Sequence, residues 1–404
     1  MFIGSLKPVD VSKYDFLART RMIIKKDLFA DYLQDFLLLG AVSCLLVPIN
    51  SIYSTILSVI WLVVQCLVCP LSVQKFLWPL AFILLFFSRT WLLNEMPHPA
   101  SAEDAILLCT ALIIASTFVA KRMQRLFLIL PLSLPIAFFG ISSKPWAPNP
   151  FVGANQGAYI LGILALVCGC CLASGGLLSK WLKTIYAVLL VMSMMMIWHT
   201  GSRAALLGSV GAALFVLCLR SIQNRKVIKQ FMPAFGVLII AYLVKLFLPS
   251  TSGIPGLKTG SDAGRIFIAQ CYSGLPFTGH NRLIYGLGFH RHRDFCQQLF
   301  EGKPFDHAHN IYLQAWANVG ILGVVAIFIF GLLLWNAWSR VPLSDADSAL
   351  MVNVGISTSM YIFFLGFLDA SLIHWPALLV FSGLFLATPF ALHRAQAYPQ
   401  VPKP

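Results

Sequence analysis

Charge is what this chain has least of. Only 11% of its 404 residues are Asp, Glu, Lys or Arg, and only 15 are acidic, where an ordinary soluble domain carries roughly 25% charged residues. So little ionisable surface cannot cover a water-soluble globule of this length. Disorder is excluded from the other direction, because 58% of the residues are hydrophobic and disordered chains are poor in them. Internal repeats of solenoid length are missing, as is low-complexity sequence beyond the short Pro-containing stretch Ala395 to Pro404. The first 27 residues are charged and lack a continuous apolar run ending in a small-residue cleavage site, so no removable signal peptide is expected. Free polar cysteines are scarce too. Cys44, Cys66, Cys69, Cys109, Cys168, Cys170, Cys171 and Cys218 lie in or beside apolar runs and read as small hydrophobes. Cys271 and Cys296 lie in a polar stretch, where an extracytoplasmic disulfide is one outcome.

What the chain has in abundance is long runs of Leu, Ile, Val and Phe. Runs at about 32–49, 52–72, 77–93, 103–120, 125–141, 155–175, 181–199, 203–219, 230–249, 308–337, 350–372 and 374–393 are each near the length that crosses a bilayer. Unbroken apolar runs do not alternate as barrel strands do, so the expected fold class is an all-α polytopic membrane protein with about 12 transmembrane helices. The expected organisation is an N-terminal segment 1–31, helices 1–9 over 32–249, a large loop 250–307, helices 10–12 over 308–393 and a tail 394–404. An even count places both termini on one side. The net charge of +14 would suggest nucleic acid for a soluble protein, but here most Lys and Arg fall in the termini and short loops of a single side. The positive-inside rule makes that side cytoplasmic, and no nucleic-acid partner is expected.

The opposite side gathers the chemistry. His98, His199, His280, His290, His292, His307, His309 and His374 all map to it, leaving His393 inside. The loop between helices 9 and 10 has about 58 residues, far beyond an ordinary connector, and such loops are generally functional. The spans are nearly free of carboxylates apart from Asp35 and Asp369 near helix ends, so the acidic midplane relay of a cation-coupled transporter is not visible. An anionic lipid headgroup suits this pattern better.

Three segments stand out. Arg203, in Gly201-Ser202-Arg203, opens a span after a very short hinge, where its planar fork can grip two phosphate oxygens. An Arg capping a hairpin, or reaching to headgroups, would occupy the same place. Arg265, in Gly264-Arg265, follows Ser261 and Asp262 at the start of an apolar run. A helix N-terminus there would add partial positive charge for a phosphate, while pairing with Asp262 on a solvated surface is the alternative. His309 and Asn310 close the loop in Asp306-His307-Ala308-His309-Asn310, and Gly320 and Gly323 follow where small residues let another helix approach. An imidazole there can take a proton from a sugar hydroxyl near neutral pH, oriented by Asp306 or another carboxylate. It can equally cap a helix or, with His307, hold a metal that lacks further visible ligands. Arg89 and Asn155 are weaker candidates for donor binding and support. Asp345-Ala346-Asp347 has the form of a metal-binding pair but falls on the cytoplasmic side.

His309-Asn310, a gap of nine residues and then Gly320-Ile321-Leu322-Gly323 resembles the pattern of bacterial O-antigen ligases. Gly201-Ser202-Arg203, Gly264-Arg265 and Tyr285-Gly286-Leu287-Gly288 stand in the order that family uses. The resemblance implies a GT-C-type, metal-independent glycosyltransferase without cofactor, acting at the periplasmic face of the bacterial inner membrane with both termini cytoplasmic. It would move O-antigen polysaccharide from undecaprenyl pyrophosphate to the lipid A core oligosaccharide, as a monomer among membrane lipids. It implies His309, Arg203 and Arg265 as catalytic residues, with both Arg on the donor pyrophosphate and Asn310 in support; Arg89, an Arg at an outer helix end, and Asn155, which could equally be a helix cap, are added for donor binding and support on physical grounds alone. The family is similar to O-antigen polymerases and to some protein O-oligosaccharyltransferases. A polymerase acting on the lipid carrier and a flippase for lipid-linked glycans are the alternative functions.

Overall fold

In the computed structural model the described residues are 32–44, 46, 52–68, 120–140, 154–173, 178–223, 268–288, 308–341, 349–368 and 376–397, and every regular element among them is helical. In chain order they are α1 (Tyr32–Cys44), α2 (Ile52–Val68), α3 (Ala120–Ile129), a 3-10 turn (Leu130–Leu132), α4 (Ser133–Gly140), α5 (Ala154–Ala173), α6 (Lys180–Thr200) and α7 (Arg203–Gln223). Then come α8 (268–274), a second 3-10 turn (Leu275–Thr278), α9 (His280–Tyr285), α10 (Ile311–Ser339), α11 (Ala349–Leu368), α12 (Pro376–Leu386) and α13 (Thr388–Ala397). The all-α expectation holds. Among the described residues Gln156–Ala173, Lys180–Thr200, Ile311–Ser339 and Ala349–Phe367 are long and apolar enough to cross a bilayer, and the chain is an integral membrane protein. The expected spans at 77–93, 103–120 and 230–249 lie outside the described residues, apart from Ala120.

Two expected spans among the described residues are interrupted at prolines. The run 125–141 breaks at the 3-10 turn holding Pro131. Leu128, one turn before Leu132 in that turn, gives its carbonyl to the Tyr186 hydroxyl of α6 at 2.7 Å. The run 374–393 breaks at Ala387, between α12 and α13. Pro389 has no N–H for the carbonyl of Phe385. The Thr388 hydroxyl donates to that carbonyl instead, at 2.7 Å. In lipid no water can take up a freed carbonyl, so a neighbouring hydroxyl is the available remedy.

A helix that is apolar on every side is either buried in protein or faces lipid. α5 is such a helix and is buried, packing against α6, α7 and α11. Glycines and hydroxyls set the spacing. A Cβ on Gly162 of α5 would collide with the Tyr361 hydroxyl of α11, so only glycine admits that ring. Tyr361 donates to the Tyr159 carbonyl at 3.2 Å, and the Tyr159 hydroxyl pairs with Ser382 of α12 at 2.7 Å. Ser193 of α6 closes on the Leu161 carbonyl at 2.6 Å. α6 covers α5 with one face only. Trp181, Ile185, Val188, Val191, Met195 and Trp198 recur at helical spacing on its other face and are exposed, which suits a lipid-facing surface.

Candidate functional site

Arg203 is placed by a turn of two residues. α6 ends at Thr200, and Gly201 takes a left-handed conformation (φ 69) with its N–H bonded to the Trp198 carbonyl. Ser202 then caps α7, its hydroxyl accepting from the Ala205 N–H at 3.4 Å. Arg203 is thus the first residue of α7 and is half-buried. A cation at a helix N-terminus is disfavoured by the helix dipole unless an anion sits there, and the positive end of the dipole and the guanidinium would serve the same anion.

His309 is placed by the start of α10. Asn310 caps that helix, its Oδ1 accepting from Tyr312 N at 2.9 Å and Leu313 N at 3.0 Å. Its Nδ2 donates to the Phe367 carbonyl of α11 at 3.2 Å. The sequence left open whether His309 itself caps; the cap is Asn310. His309 has φ 50, the one positive φ outside glycine among the described residues. The left-handed region is uncommon for a side-chain-bearing residue, although His is among those that tolerate it. Its Nδ1 is buried while the residue as a whole is half-buried.

The loop preceding α10 folds back onto it. Ile268, Tyr272, Leu275, Leu287, Ala308 and Ala317 form a small core of their own, distinct from that around α5. Trp316 Nε1 donates to the Ser273 carbonyl at 3.1 Å. After α9 the chain passes through Gly286, Leu287 and Gly288, whose last two N–H groups bond to the carbonyls of Ala317 and Asn318, both at 2.8 Å. Those carbonyls are available because α10 breaks at Gly320 (φ 67, ψ −153). The close approach expected at Gly320 is real and is made by the end of α9, since a Cβ there would lie 2.6 Å from the Ile284 carbonyl oxygen.

The break also reshapes the helix. The Tyr312 ring lies 4.3 Å from that of Phe367, tilted against it, and its hydroxyl bonds the Phe363 carbonyl at 3.3 Å, whereas Trp338 lies beside Gly355. At about 1.5 Å per residue those α10 contacts would be about 39 Å apart on a straight helix, but their partners on α11 span at most about 18 Å. The bend lets both ends of α10 reach α11.

Direction can be followed through the bundle. The short turns place the end of α6 and the start of α7 together. Gly162 of α5 meets Ser209 of α7, and Gly208 packs on Tyr361 and Leu365 of α11. Asn310 is bonded just beyond Leu365, at Phe367. Arg203, less than two turns before Gly208, and His309 therefore lie at the same end of the bundle, with Asn155 in the first turn of α5. Lys180, at the start of α6, and Arg340, at the end of α10, lie at the opposite end. Arg265, Arg89, Asp262, Asp306, His307, Asp369 and Asp345-Ala346-Asp347 lie outside the described residues. Cys271 in α8 is disulfide-bonded, while Cys296, the partner the sequence suggested, also lies outside them.

The sequence named Ser202 only within Gly201-Ser202-Arg203 and did not single out Gln314 or Asn318. Ser202 was legible as a cap before the apolar run of α7. Gln314, fully buried, accepts from Ala308 N at 2.7 Å and donates to Asn318 Oδ1 at 3.2 Å. Its position one turn past the cap was the only available signal.

Comparison with known families supports the resemblance. Residues 187–328 match the family model described as O-antigen ligase, a stretch running from α6 through the loop into α10 and containing Arg203, Arg265, His309, Gly320 and Gly323. No curated protein matches the chain.

Proposed function

We propose that this chain, which carries an O-antigen ligase-like segment from residue 187 to 328, is an O-antigen ligase of the inner membrane. The family match supports an O-antigen ligase or polymerase type of activity on lipid-linked glycan. The finer reading is metal-independent transfer of O-antigen polysaccharide from undecaprenyl pyrophosphate to the lipid A core, at the periplasmic face. The observation that carries it is the family segment together with Arg203 and His309 standing at one end of the bundle, opposite Lys180 and Arg340. The Cys271 disulfide supports the compartment, since disulfides persist where the surroundings are oxidising.

The chemistry requires little more. Pyrophosphate is already a good leaving group, so the enzyme must neutralise charge growing on it and activate the incoming hydroxyl. Arg203 and Arg265 would hold the pyrophosphate oxygens, with Arg89 as a third contact, and gain strength because the charge they meet develops in the transition state. With Nδ1 of His309 buried, Nε2 is the nitrogen to meet the acceptor. The acceptor hydroxyl gives its proton to that nitrogen as its oxygen bonds the anomeric carbon, and the pyrophosphate leaves from the other face with the bonding electron pair. A single displacement inverts the anomeric configuration and needs no carboxylate nucleophile. Asn310 would hold His309 at the rim, and Asn155 would support the donor side.

The test is to incubate purified protein with lipid-linked O-antigen and rough lipopolysaccharide in the presence of chelator. Enlarged lipopolysaccharide supports the ligase. Glycan that grows only on the carrier makes the protein a polymerase. Donor that crosses a vesicle bilayer intact, with no new glycosidic bond, makes it a flippase.

A further inference from the structure

We propose that Gln314 is the positioning residue for His309, an inference that rests on His309 being the base of the reaction above. His309 occupies a left-handed backbone conformation (φ 50), and something must hold the chain there, because nothing intrinsic to the residue does. On the far side Asn310 is fixed by the helix cap and by its bond to the Phe367 carbonyl. On the near side Ala308 is buried in the small loop core. Its N–H, turned inward, is taken by Gln314 Oε1 at 2.7 Å.

The orientation of that amide follows from its surroundings. A backbone N–H can only donate, so the Gln314 atom facing Ala308 is the oxygen, and its NH2 must face Asn318. Asn318 Oδ1 accepts it at 3.2 Å, and the Asn318 carbonyl in turn accepts from Gly288 N at 2.8 Å. A polar chain thus runs from the His309 turn through Gln314 and Asn318 to the glycine turn after α9. Gln314 is fully buried, so water cannot replace a lost bond, and an unmet N–H at Ala308 would favour another path for the turn. Gln314 touches no reacting atom in this scheme; it acts by setting where the imidazole stands.

The experiment compares full-length wild type with Gln314→Leu, Gln314→Glu and His309→Ala, measuring kcat, donor KM and melting temperature with lipid-linked glycan and rough lipopolysaccharide. Gln314→Leu is expected to lower kcat about 10²-fold, the loss that a shift of about 1 Å brings, with donor KM close to wild type and a melting temperature lowered only by the buried bonds it forfeits. Gln314→Glu restores an oxygen for Ala308 N–H but not the donor to Asn318, so it is expected to recover part of the kcat lost in Gln314→Leu although its buried carboxyl lowers the melting temperature. Wild-type kcat in Gln314→Leu, a donor KM that rises in step with the fall in kcat, or a kcat in folded Gln314→Glu no higher than in Gln314→Leu overturns the proposal. Should Gln314→Leu fail to fold, Gln314→Asn decides, since it withdraws the acceptor while keeping the amide: lowered kcat at unchanged donor KM supports the proposal, and wild-type kcat or a donor KM that rises in step overturns it. Wild-type transfer by His309→Ala sinks the reading of His309 itself. An inactive His309→Ala beside a fully active Gln314→Leu sinks the positioning role alone.

Discussion

Gly286 and Gly320 meet backbone to backbone, and each is where it is because the other has no side chain. A Cβ on Gly320 would lie 2.7 Å from Gly286 N, and one on Gly286 would strike the peptide between Asn318 and Val319. Both have positive φ with extended ψ, a region essentially closed to other residues. Gly320→Ala and Gly286→Ala are each expected to lose on the order of 1–3 kcal/mol from backbone strain, with a further loss from the clash. Both should lower the melting temperature and silence glycan transfer together. A variant that melts and works as wild type would contradict this packing.

Arg203→Ala is expected to reduce transfer by about 10²–10³-fold, the usual cost of removing one donor to developing charge. Arg203→Lys should recover little, because a point-charge ammonium cannot grip two oxygens in the plane of a fork. Steady-state rates with purified lipid-linked donor decide it. Full activity in the Lys variant would show that only charge matters at this corner.

The disulfide of Cys271 ties down the loop segment that packs on α10. Cys271→Ser, or treatment with reductant, is expected to cost about 2–4 kcal/mol of stability, concentrated in that small core. Hydrogen exchange should report it as faster exchange over 268–288, with α5 unchanged. Equal protection of the loop before and after reduction would refute this division.

Asp35 of α1 pairs with Arg125 of α3 at 2.6 Å; the Asp side chain is 6% exposed and the Arg side chain 29%, with Nε and Nη2 of the latter buried. The costs of breaking the pair should be unequal. Arg125→Met strands a buried carboxylate and is expected to cost about 3–5 kcal/mol. Asp35→Asn keeps an amide oxygen for the guanidinium, which also lies over the Tyr32 ring, and should cost less, and the double variant should be milder than Arg125→Met alone. Thermal unfolding in detergent measures all three.

The helical class was legible because lipid requires every backbone group to be satisfied within its own segment, and runs of Leu, Val and Phe announce such segments. The hairpin at Gly201-Ser202 and the His309-Asn310 rim were legible for a similar reason: turn and cap residues act on neighbours a few positions away. Interruptions were written in Pro131 and Pro389, yet an apolar count passes over them, and their repair by Tyr186 and Thr388 needs the packed structure. The span starting at residue 308 read as one continuous helix. Its bend depends on the glycine turn at 286, far upstream, which no local pattern connects to Gly320. Gln314 was hidden for the same reason, since a buried amide in an apolar run has meaning only once its two partners are known. Whether Cys271 was bridged could not be read from spacing, because a thiol and a half-cystine are the same letter.

α5 is covered by α6, α7 and α11, yet these arrive at different moments of synthesis. α6 and α7 follow at once, while α11 emerges only after the large loop has been made. The seat at Gly162 for the Tyr361 ring, and the Tyr159 carbonyl that Tyr361 bonds, are therefore filled by one of the last helices made. A chain cut before α11 is expected to leave that flank of α5 uncovered, however complete its neighbours in sequence.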